Sequence, residues 1–226
     1  GHGWPGNSRW EVVDSAPVEG GWRAHLRLAR PVMGAVVEKL LTLRDGHPFL
    51  YQEHAFIGGE GRLPAAHHPM TRMAGRGSLS FSPKRLALTL DQPLEPGRHA
   101  LAYPARIQDL GAFPARDGGT VDLAAWPLGS RNEDFLTLIE AAHGGFGWTA
   151  VARDAEADLL LVLKDPADLP ITMLWISNGG RDLAPWNGRH VGGLGVEDGR
   201  TAGGHAASLG DNPLAPDSDA HLVAEA

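Results

Sequence analysis

The sequence contains no cysteine, which excludes disulfide bonds and thiolate chemistry. Only three lysines stand against seventeen arginines, and the formal net charge of -7 leaves no basic stripe suited to a phosphate backbone, so nucleic acid is not an expected partner. No run of about 18 apolar residues occurs, and the chain does not open with a charged and then apolar leader. We therefore expect a soluble, cytoplasmic protein with no membrane partner.

Strand-like patterns dominate the hydrophobicity of the chain. Between Trp22 and Leu28, apolar residues alternate with arginine and histidine, as in a strand with one buried face. Residues 86–90 alternate again, whereas 159–163 and 171–176 are continuous apolar runs, typical of strands covered on both faces. The connections carry turn-forming pairs: Asp45-Gly46, Pro96-Gly97, Asp165-Pro166 and Asn178-Gly179.

Many strands joined by Gly/Pro turns predict a mainly β, antiparallel sandwich. We expect one domain over residues 1–226, with 203–220 as an irregular loop. The main helical candidate is 133–143, where apolar residues follow helical spacing behind potential caps at Ser130 and Asn132. The centre of this segment, Phe-Leu-Thr-Leu-Ile, is equally compatible with a strand.

Seven of the fifteen aromatic residues are tryptophans. An indole presents a flat apolar face and an N–H, so it can cover the C–H face of a sugar ring. Trp22 and Trp148 lie in apolar patterns and are predicted to be core residues. Trp186 follows a proline in a polar loop, where a purely structural role is harder to justify.

His67 and His68 are adjacent, so in an extended segment they point to opposite faces and only one can address a given pocket. This argues against a two-histidine metal site, and the chain contains no His-x-His or His-Glu-x-x-His pair. We predict no metal site. His68 is a candidate general acid, because imidazole can share a proton near neutral pH.

Two familiar nucleotide and hydrolase motifs are absent. The glycine-rich segments at 58–61 and 192–195 are not followed by Lys-Ser/Thr, so they are interpreted as turns and not as phosphate loops. No Gly-x-Ser-x-Gly occurs, which leaves serine-hydrolase chemistry without support.

Three motifs, in order, resemble those of the galactose mutarotase-like (aldose 1-epimerase) superfamily. Residues 2–12 read His-Gly-Trp-Pro-Gly-Asn-Ser-Arg-Trp-Glu-Val, close to the His-Gly-Phe-Ala-Arg-Asn-x-x-Trp-Glu of the hexose-phosphate epimerase branch. Residues 65–70 resemble the segment of the mid-chain histidine, and 175–197 the late strand, loop and strand that deliver a glutamate. The resemblance implies an antiparallel β-supersandwich with a sugar cleft. Family members normally carry further strands before His2 and after Ala226, so a fragment lacking terminal strands is one interpretation.

The resemblance also implies a reaction. Glu197 is the candidate base and His68 the candidate acid, flanking one sugar ring and opening its hemiacetal so that either anomer can reform. The candidate substrate-binding residues are His2, Asn178, Arg181 and Trp186. No metal or organic cofactor is required, because no electrons move. Gly6 stands where the phosphate-sugar branch has arginine, which favours an unphosphorylated aldose as the substrate.

Other interpretations remain open at this point. The chain is also compatible with a carbohydrate-binding or sensing module without turnover, or with an accessory sandwich domain of a larger carbohydrate-active enzyme. Without the family pattern, Glu197 is simply a strand residue paired with Arg189 or Arg200. The sequence alone does not identify the sugar or the oligomeric state.

Overall fold

The computed structural model describes residues 4–61 and 63–201, and almost all of the regular structure in them is strand. His2 and the predicted loop 203–220 lie outside the described residues. The strands are β1 (Trp10–Val18), β2 (Gly21–Leu28), β3 (Val36–Arg44), β4 (Leu50–Ile57), β5 (Ala65–Ala66), β6 (Met70–Arg72), β7 (Gly77–Phe81), β8 (Lys84–Thr89), β9 (Arg106–Ile107), β10 (Phe113–Pro114), β11 (Thr120–Val121), β12 (Ala125–Trp126), β13 (Asn132–Glu140), β14 (Gly147–Arg153), β15 (Asp158–Lys164), β16 (Ile171–Asn178) and β17 (Gly193–Arg200). Two short 3₁₀ helices, Pro5–Asn7 and Leu110–Ala112, complete the elements of this part of the chain. None of its helices is long and apolar enough to cross a membrane.

The largest sheet has seven strands in the order β5-β17-β16-β13-β8-β9, with β6 pairing with β17 beside β5. A second sheet has the order β12-β7-β14-β15, the N-terminal strands form the meander β1-β2-β3-β4, and β10 pairs with β11. Every pairing between these strands is antiparallel. The predicted mainly β, antiparallel architecture is therefore confirmed.

The main hydrophobic core lies between the seven-stranded sheet and the β12-β7-β14-β15 sheet. Leu136, Leu174 and Val196 project from the larger sheet, and Leu79 and Val151 from the smaller one, and all five are buried in one cluster. Because side chains alternate along a strand, the residues between them on β13, β16 and β17 project from the opposite face of the seven-stranded sheet. That opposite face carries the candidate site.

The predicted helix at residues 133–143 is wrong and the alternative of a strand at its centre is confirmed, because most of the segment is strand β13. This strand pairs with β16 on one side and with β8 on the other, so it lies inside the largest sheet. A strand covered on both faces can be apolar at successive positions, and such a run matches helical spacing by chance. The Phe-Leu-Thr-Leu-Ile segment also suits a pleated surface.

Two burial predictions are wrong, those for Trp22 and for the apolar run 159–163. Both segments form strands, but these strands have side chains exposed to solvent. Trp22 is 47% exposed on the N-terminal sheet, where its indole N–H donates to Ser15. The 159–163 run does form β15, but this strand is at the end of its sheet, and Leu159 and Leu163 are 61% and 45% exposed. Trp148 is half-buried, while the continuous run in β16 is buried as predicted.

A charged network that no sequence pattern predicts is buried at one end of the sandwich. The Lys164 ammonium lies 2.8 Å from Asp198 Oδ1 and 3.2 Å from Glu140 Oε1. It also donates to Thr172, whose hydroxyl donates to Asp198. Lys84 pairs with the same Glu140 at 2.5 Å. Two ammonium groups and two carboxylates therefore balance one another and connect β8, β13, β15 and β17.

The N-terminal sheet meets the rest of the protein at a histidine pair. The ring of His54 in β4 packs edge-on against His67 at a centroid distance of 4.7 Å. Burial is the main cause that lowers the pKa of both rings, to about 4 for His54. The backbone N–H of His67 donates to the backbone carbonyl of Asp198 in β17. His67 therefore joins the N-terminal sheet to the strand that carries Glu197.

Replacing Lys164 with methionine tests the buried network. Breaking a buried ion pair by removing one partner leaves an uncompensated charge, so we expect Lys164→Met to lower the free energy of unfolding by about 3–5 kcal/mol. The control is Asp158→Asn, which removes an ion pair with Arg153 near the surface and should lower the free energy of unfolding far less, because solvent screens an exposed pair. Both values come from urea unfolding, and equal losses in the two variants contradict the prediction.

Candidate functional site

Glu197 lies in β17 and projects from the face of the seven-stranded sheet that is turned away from the main core. It is opposite Met173 of β16 in the strand register. The residue is only 5% exposed, and burial raises the pKa of its carboxyl group to about 7. A carboxyl group with this pKa can both accept and release a proton near neutral pH.

Glycine at position 195 makes room for this carboxyl group. A Cβ at Gly195 would lie 2.9 Å from Glu197 Oε1 and 3.0 Å from the sulfur of Met70, so the Glu197 carboxyl group would have to shift. The turn that leads into β17 is equally tight, because Gly192 has φ +72° and a Cβ there would lie 2.4 Å from the carbonyl oxygen of Met73. These glycines allow β17 to bring Glu197 close to its neighbours.

His68 lies beside Glu197, as the sequence motifs suggest. Its Nε2 is 3.2 Å from Glu197 Oε1, which is ion-pair distance, although the two atoms are not aligned as a hydrogen bond. The His68 side chain is 29% exposed and that of Glu197 is 7% exposed, so the pair is reached from the His68 side. His67 turns the other way, towards His54, which confirms the predicted divergence of the two adjacent histidines.

Trp175 is the central aromatic residue of this face. The edge of His68 meets its ring at a centroid distance of 6.0 Å, and His190 stacks on it at 5.4 Å. Its indole N–H donates to Glu133 Oε1 at 2.5 Å. Trp175 therefore connects the His68–Glu197 pair to a second polar group on the same face.

That second group consists of Glu133, Ser177 and His190. The Ser177 hydroxyl donates to Glu133 Oε2 at 2.7 Å, and His190 Nδ1 lies 2.6 Å from the same hydroxyl. Burial is the main cause that raises the pKa of Glu133. Serine, histidine and a carboxylate also form hydrolase triads, but here the serine is in the middle and fully buried, so it cannot act as a nucleophile.

Arg181 and Trp186 extend the face beyond Trp175. The Arg181 guanidinium lies 5.3 Å from the centre of the Trp175 ring and 4.6 Å from that of Trp186. Its Nε is 3.1 Å from Glu133 Oε1 and 3.3 Å from Glu95 Oε1. The structure thus brings Arg181 and Trp186 together with His68 and Glu197 through Trp175, and two carboxylates already balance the arginine.

One predicted residue, Asn178, is not part of this arrangement. Asn178 belongs to the opposite face of β16, and its amide donates to the carbonyl of Gly129 and accepts from the N–H of Gly192. This amide holds two loops in place, so Asn178 is not among the residues that the site face brings together. His2 lies outside the described residues. Arg189 and Arg200, the alternative partners of Glu197, both donate to backbone carbonyls.

Sequence reasoning missed Glu133, Ser177 and His190. It placed Trp175 at the start of the late motif but not among the candidate substrate-binding residues. Glu133 was missed because the segment was predicted as a helix, and a helix does not place this residue beside β16. The pairing of Glu133 with Ser177, and of Ser177 with Gly193, appears only in the register of three strands. The one available signal in the sequence was a glutamate at the start of an apolar run, because such a residue becomes buried if the run is a core strand.

No three histidine, aspartate or glutamate side chains among residues 4–61 and 63–201 are arranged to hold a metal ion. The site as described consists of acid and base groups, aromatic rings and one guanidinium. Such groups can bind a hydroxylated ring and move protons on it.

Comparison of the chain with protein-family models, with curated proteins and with solved structures finds no match in any of the three. The resemblance to the aldose 1-epimerase superfamily therefore depends on the motifs quoted above.

The raised pKa of Glu197 predicts a pH-dependent stability that a Glu197→Gln variant lacks. The folded-state pKa of about 7 lies above the ordinary glutamate value of 4.5, so the stabilising contribution is complete below pH 4.5 and is lost as pH rises through 7. Between pH 4.5 and 8, the free energy of unfolding of the unsubstituted protein should fall by about 3 kcal/mol relative to that of Glu197→Gln. Urea unfolding at several pH values measures it. Exposed Glu11→Gln serves as the control, and a difference that does not change with pH refutes the prediction.

Proposed function

We propose that the chain is an aldose 1-epimerase-like enzyme that interconverts the α and β anomers of an unphosphorylated aldose. The observation that carries the proposal is the 3.2 Å separation of His68 Nε2 and Glu197 Oε1 on a face lined by Trp175. These residues are far apart in sequence. Their meeting supports the interpretation of the two motifs as an acid and a base of one reaction.

In the proposed reaction, the Glu197 carboxylate removes the proton of the anomeric hydroxyl while His68 donates a proton to the ring oxygen. The bond between C1 and the ring oxygen breaks, which gives an open-chain aldehyde. Rotation about C1–C2 and ring closure, with the two proton transfers reversed, produce the other anomer. Each proton taken up in one direction is returned in the other, so no cofactor is consumed.

The close approach of the two groups corrects the expectation that they flank a sugar ring. A ring does not fit between atoms that are 3.2 Å apart. The anomeric oxygen and the ring oxygen are bonded to the same carbon, so an adjacent acid and base can address both of them from one side. The sugar therefore binds against the pair and not between its members.

Burial of Glu197 supports the role of a base. A carboxyl group with a pKa of about 7 holds a removed proton far better than one with an ordinary pKa, and it is still ionised in a useful fraction of molecules at neutral pH. Its environment is apolar and tight, with Met70 and Trp175 as near neighbours of Gly195 beside it.

The surroundings also support an uncharged sugar as the ligand. Trp175 and Trp186 place indole rings on this face, where C–H groups can pack, and His190 offers a ring nitrogen to a hydroxyl. Arg181 already faces Glu133 and Glu95, so it has less to offer to a phosphate group. We assign the sandwich to the supersandwich type on the same motifs.

The alternatives are a carbohydrate-binding module that keeps the aromatic face without turnover and an accessory domain of a larger enzyme. The indole rings of Trp175 and Trp186 on one face are compatible with sugar binding in either case. Turnover is therefore the property that separates the proposal from these alternatives.

Substitution of the two groups tests the proposal. Glu197→Gln and His68→Gln should each lower kcat for anomer interconversion by about 10²–10⁴-fold, because each removes a positioned proton-transfer group. In the unsubstituted protein, kcat/KM should rise as pH increases through about 7, where Glu197 becomes ionised. Polarimetry or NMR exchange with D-glucose and D-galactose gives the rates.

Exposed His47→Gln and Glu19→Gln are the matched controls and should retain the full rate. If the unsubstituted protein interconverts anomers no faster than buffer but still binds a sugar, the enzymatic proposal is wrong and the binding module remains.

Gly195→Ala tests the space that Glu197 needs. Because the added methyl group would lie 2.9 Å from Glu197 Oε1, the carboxyl group must shift, and we expect a loss of about 100-fold in kcat/KM from a displacement of this kind. Gly129→Ala is the control, since its Cβ would meet its neighbours at an ordinary 3.6 Å. Circular dichroism verifies that both variants fold. An active, folded Gly195→Ala protein argues against this placement of the base.

A further inference from the structure

His190 is held more firmly than a loop histidine normally is. One face of its ring stacks on Trp175 at 5.4 Å and 29°. A Cβ on Gly193 would lie 2.7 Å from its Cε1, so the ring rests directly on the backbone of β17. Its Nδ1 lies 2.6 Å from the Ser177 hydroxyl. Three independent contacts therefore fix its position and orientation.

The Glu133 carboxylate determines which His190 nitrogen carries the proton. Oε1 of Glu133 faces the indole N–H of Trp175 and the guanidinium of Arg181, which can only donate. Oε2 accepts the single proton of the Ser177 hydroxyl. The Ser177 oxygen must then accept from His190, which places a proton on Nδ1 and leaves Nε2 as the acceptor.

His190 and Glu197 are spaced along one strand. His190 covers Gly193, and Glu197 lies four residues further along β17, roughly 13 Å at about 3.3 Å per residue. Trp175 stands between them, in contact with His190 on one side and with His68 on the other. This span accommodates one pyranose ring with a hydrogen bond at each end.

We propose that His190 determines sugar specificity by accepting, at Nε2, a hydrogen bond from the hydroxyl at the end of the ring opposite the anomeric carbon. The assignment rests on the proposed function only in taking the ligand to be a sugar whose C1 lies at Glu197. Ser177 and Glu133 are positioning residues in this arrangement, because they orient His190 and do not touch the sugar. Sugars that differ at this hydroxyl are then bound with different affinities.

Three variants separate the contacts of His190. His190→Phe keeps a ring on Trp175 but has no acceptor, and His190→Gln restores an oxygen acceptor without the ring. Ser177→Ala leaves His190 in place but removes the hydroxyl that fixes its proton on Nδ1. Exposed His47→Phe is the matched control.

Binding is measured by tryptophan fluorescence with D-glucose, D-galactose and their monodeoxy analogues. One monodeoxy analogue should bind the unsubstituted protein about 10-fold more weakly than its parent sugar, the value of one hydrogen bond. His190→Phe should bind this analogue and the parent equally, His190→Gln should restore part of the difference, and KM should change more than kcat. Independently of any sugar, ¹⁵N NMR should find the His190 proton on Nδ1, and Ser177→Ala should shift it towards Nε2.

Each outcome has a distinct meaning. If His190→Phe keeps the discrimination of the unsubstituted protein, or if the ¹⁵N spectrum places the His190 proton on Nε2, the specificity assignment is wrong while the epimerase proposal can stand. If binding depends on His190 but anomers do not interconvert, the epimerase proposal fails and the assignment stands. If the unsubstituted protein binds none of these sugars, both are wrong. Should His190→Phe not fold, Ser177→Ala and the ¹⁵N measurement decide.

Discussion

The structure depends on how β17 accommodates two consecutive buried carboxyl groups. Glu197 and Asp198 are adjacent, so the pleat sends them to opposite faces of the same strand. On the core face, Asp198 meets the Lys164 ammonium and the Thr172 hydroxyl, which compensate its charge. On the other face, Glu197 has no ammonium or guanidinium beside it in the described residues and lies next to His68. Two adjacent carboxyl groups of one strand therefore have different surroundings: Asp198 lies in an ion-pair network, and burial raises the pKa of Glu197.

Glycines in β17 make the opposite face usable. Gly193 admits the ring of His190 and Gly195 admits the carboxyl group of Glu197, so Trp175 on β16 can lie between two imidazoles. Side chains at the glycine positions would fill the same space. The absence of side chains at alternate positions of β17 therefore leaves room for the large side chains that lie over it and over β16.

The sequence predicted where strands form better than it predicted which faces of those strands are buried and which strands are paired. Alternation in β2 and the continuous run in β16 identified both strands, because periodicity depends on local burial alone. Periodicity failed for the start of β13 and for the exposed residues of β15. The number of covered faces depends on where each strand lies in its sheet, and no local pattern encodes that position. His68 and Glu197 were chosen from motifs and do meet. Glu133, Ser177 and His190 were missed because only the register of β13, β16 and β17 brings them together.

The scarcity of lysine has a structural counterpart. The side chains of Lys84 and Lys164 are 0% and 2% exposed, and Lys39 lies over the ring of Trp10. Arginine, which keeps its charge under nearly all conditions, supplies the cations of the surface. Every lysine of this chain thus lies within a strand and has a partner there. A lysine-specific protease therefore finds its cleavage points inside folded sheets, and the rate at which it cuts the chain measures how often those sheets come apart.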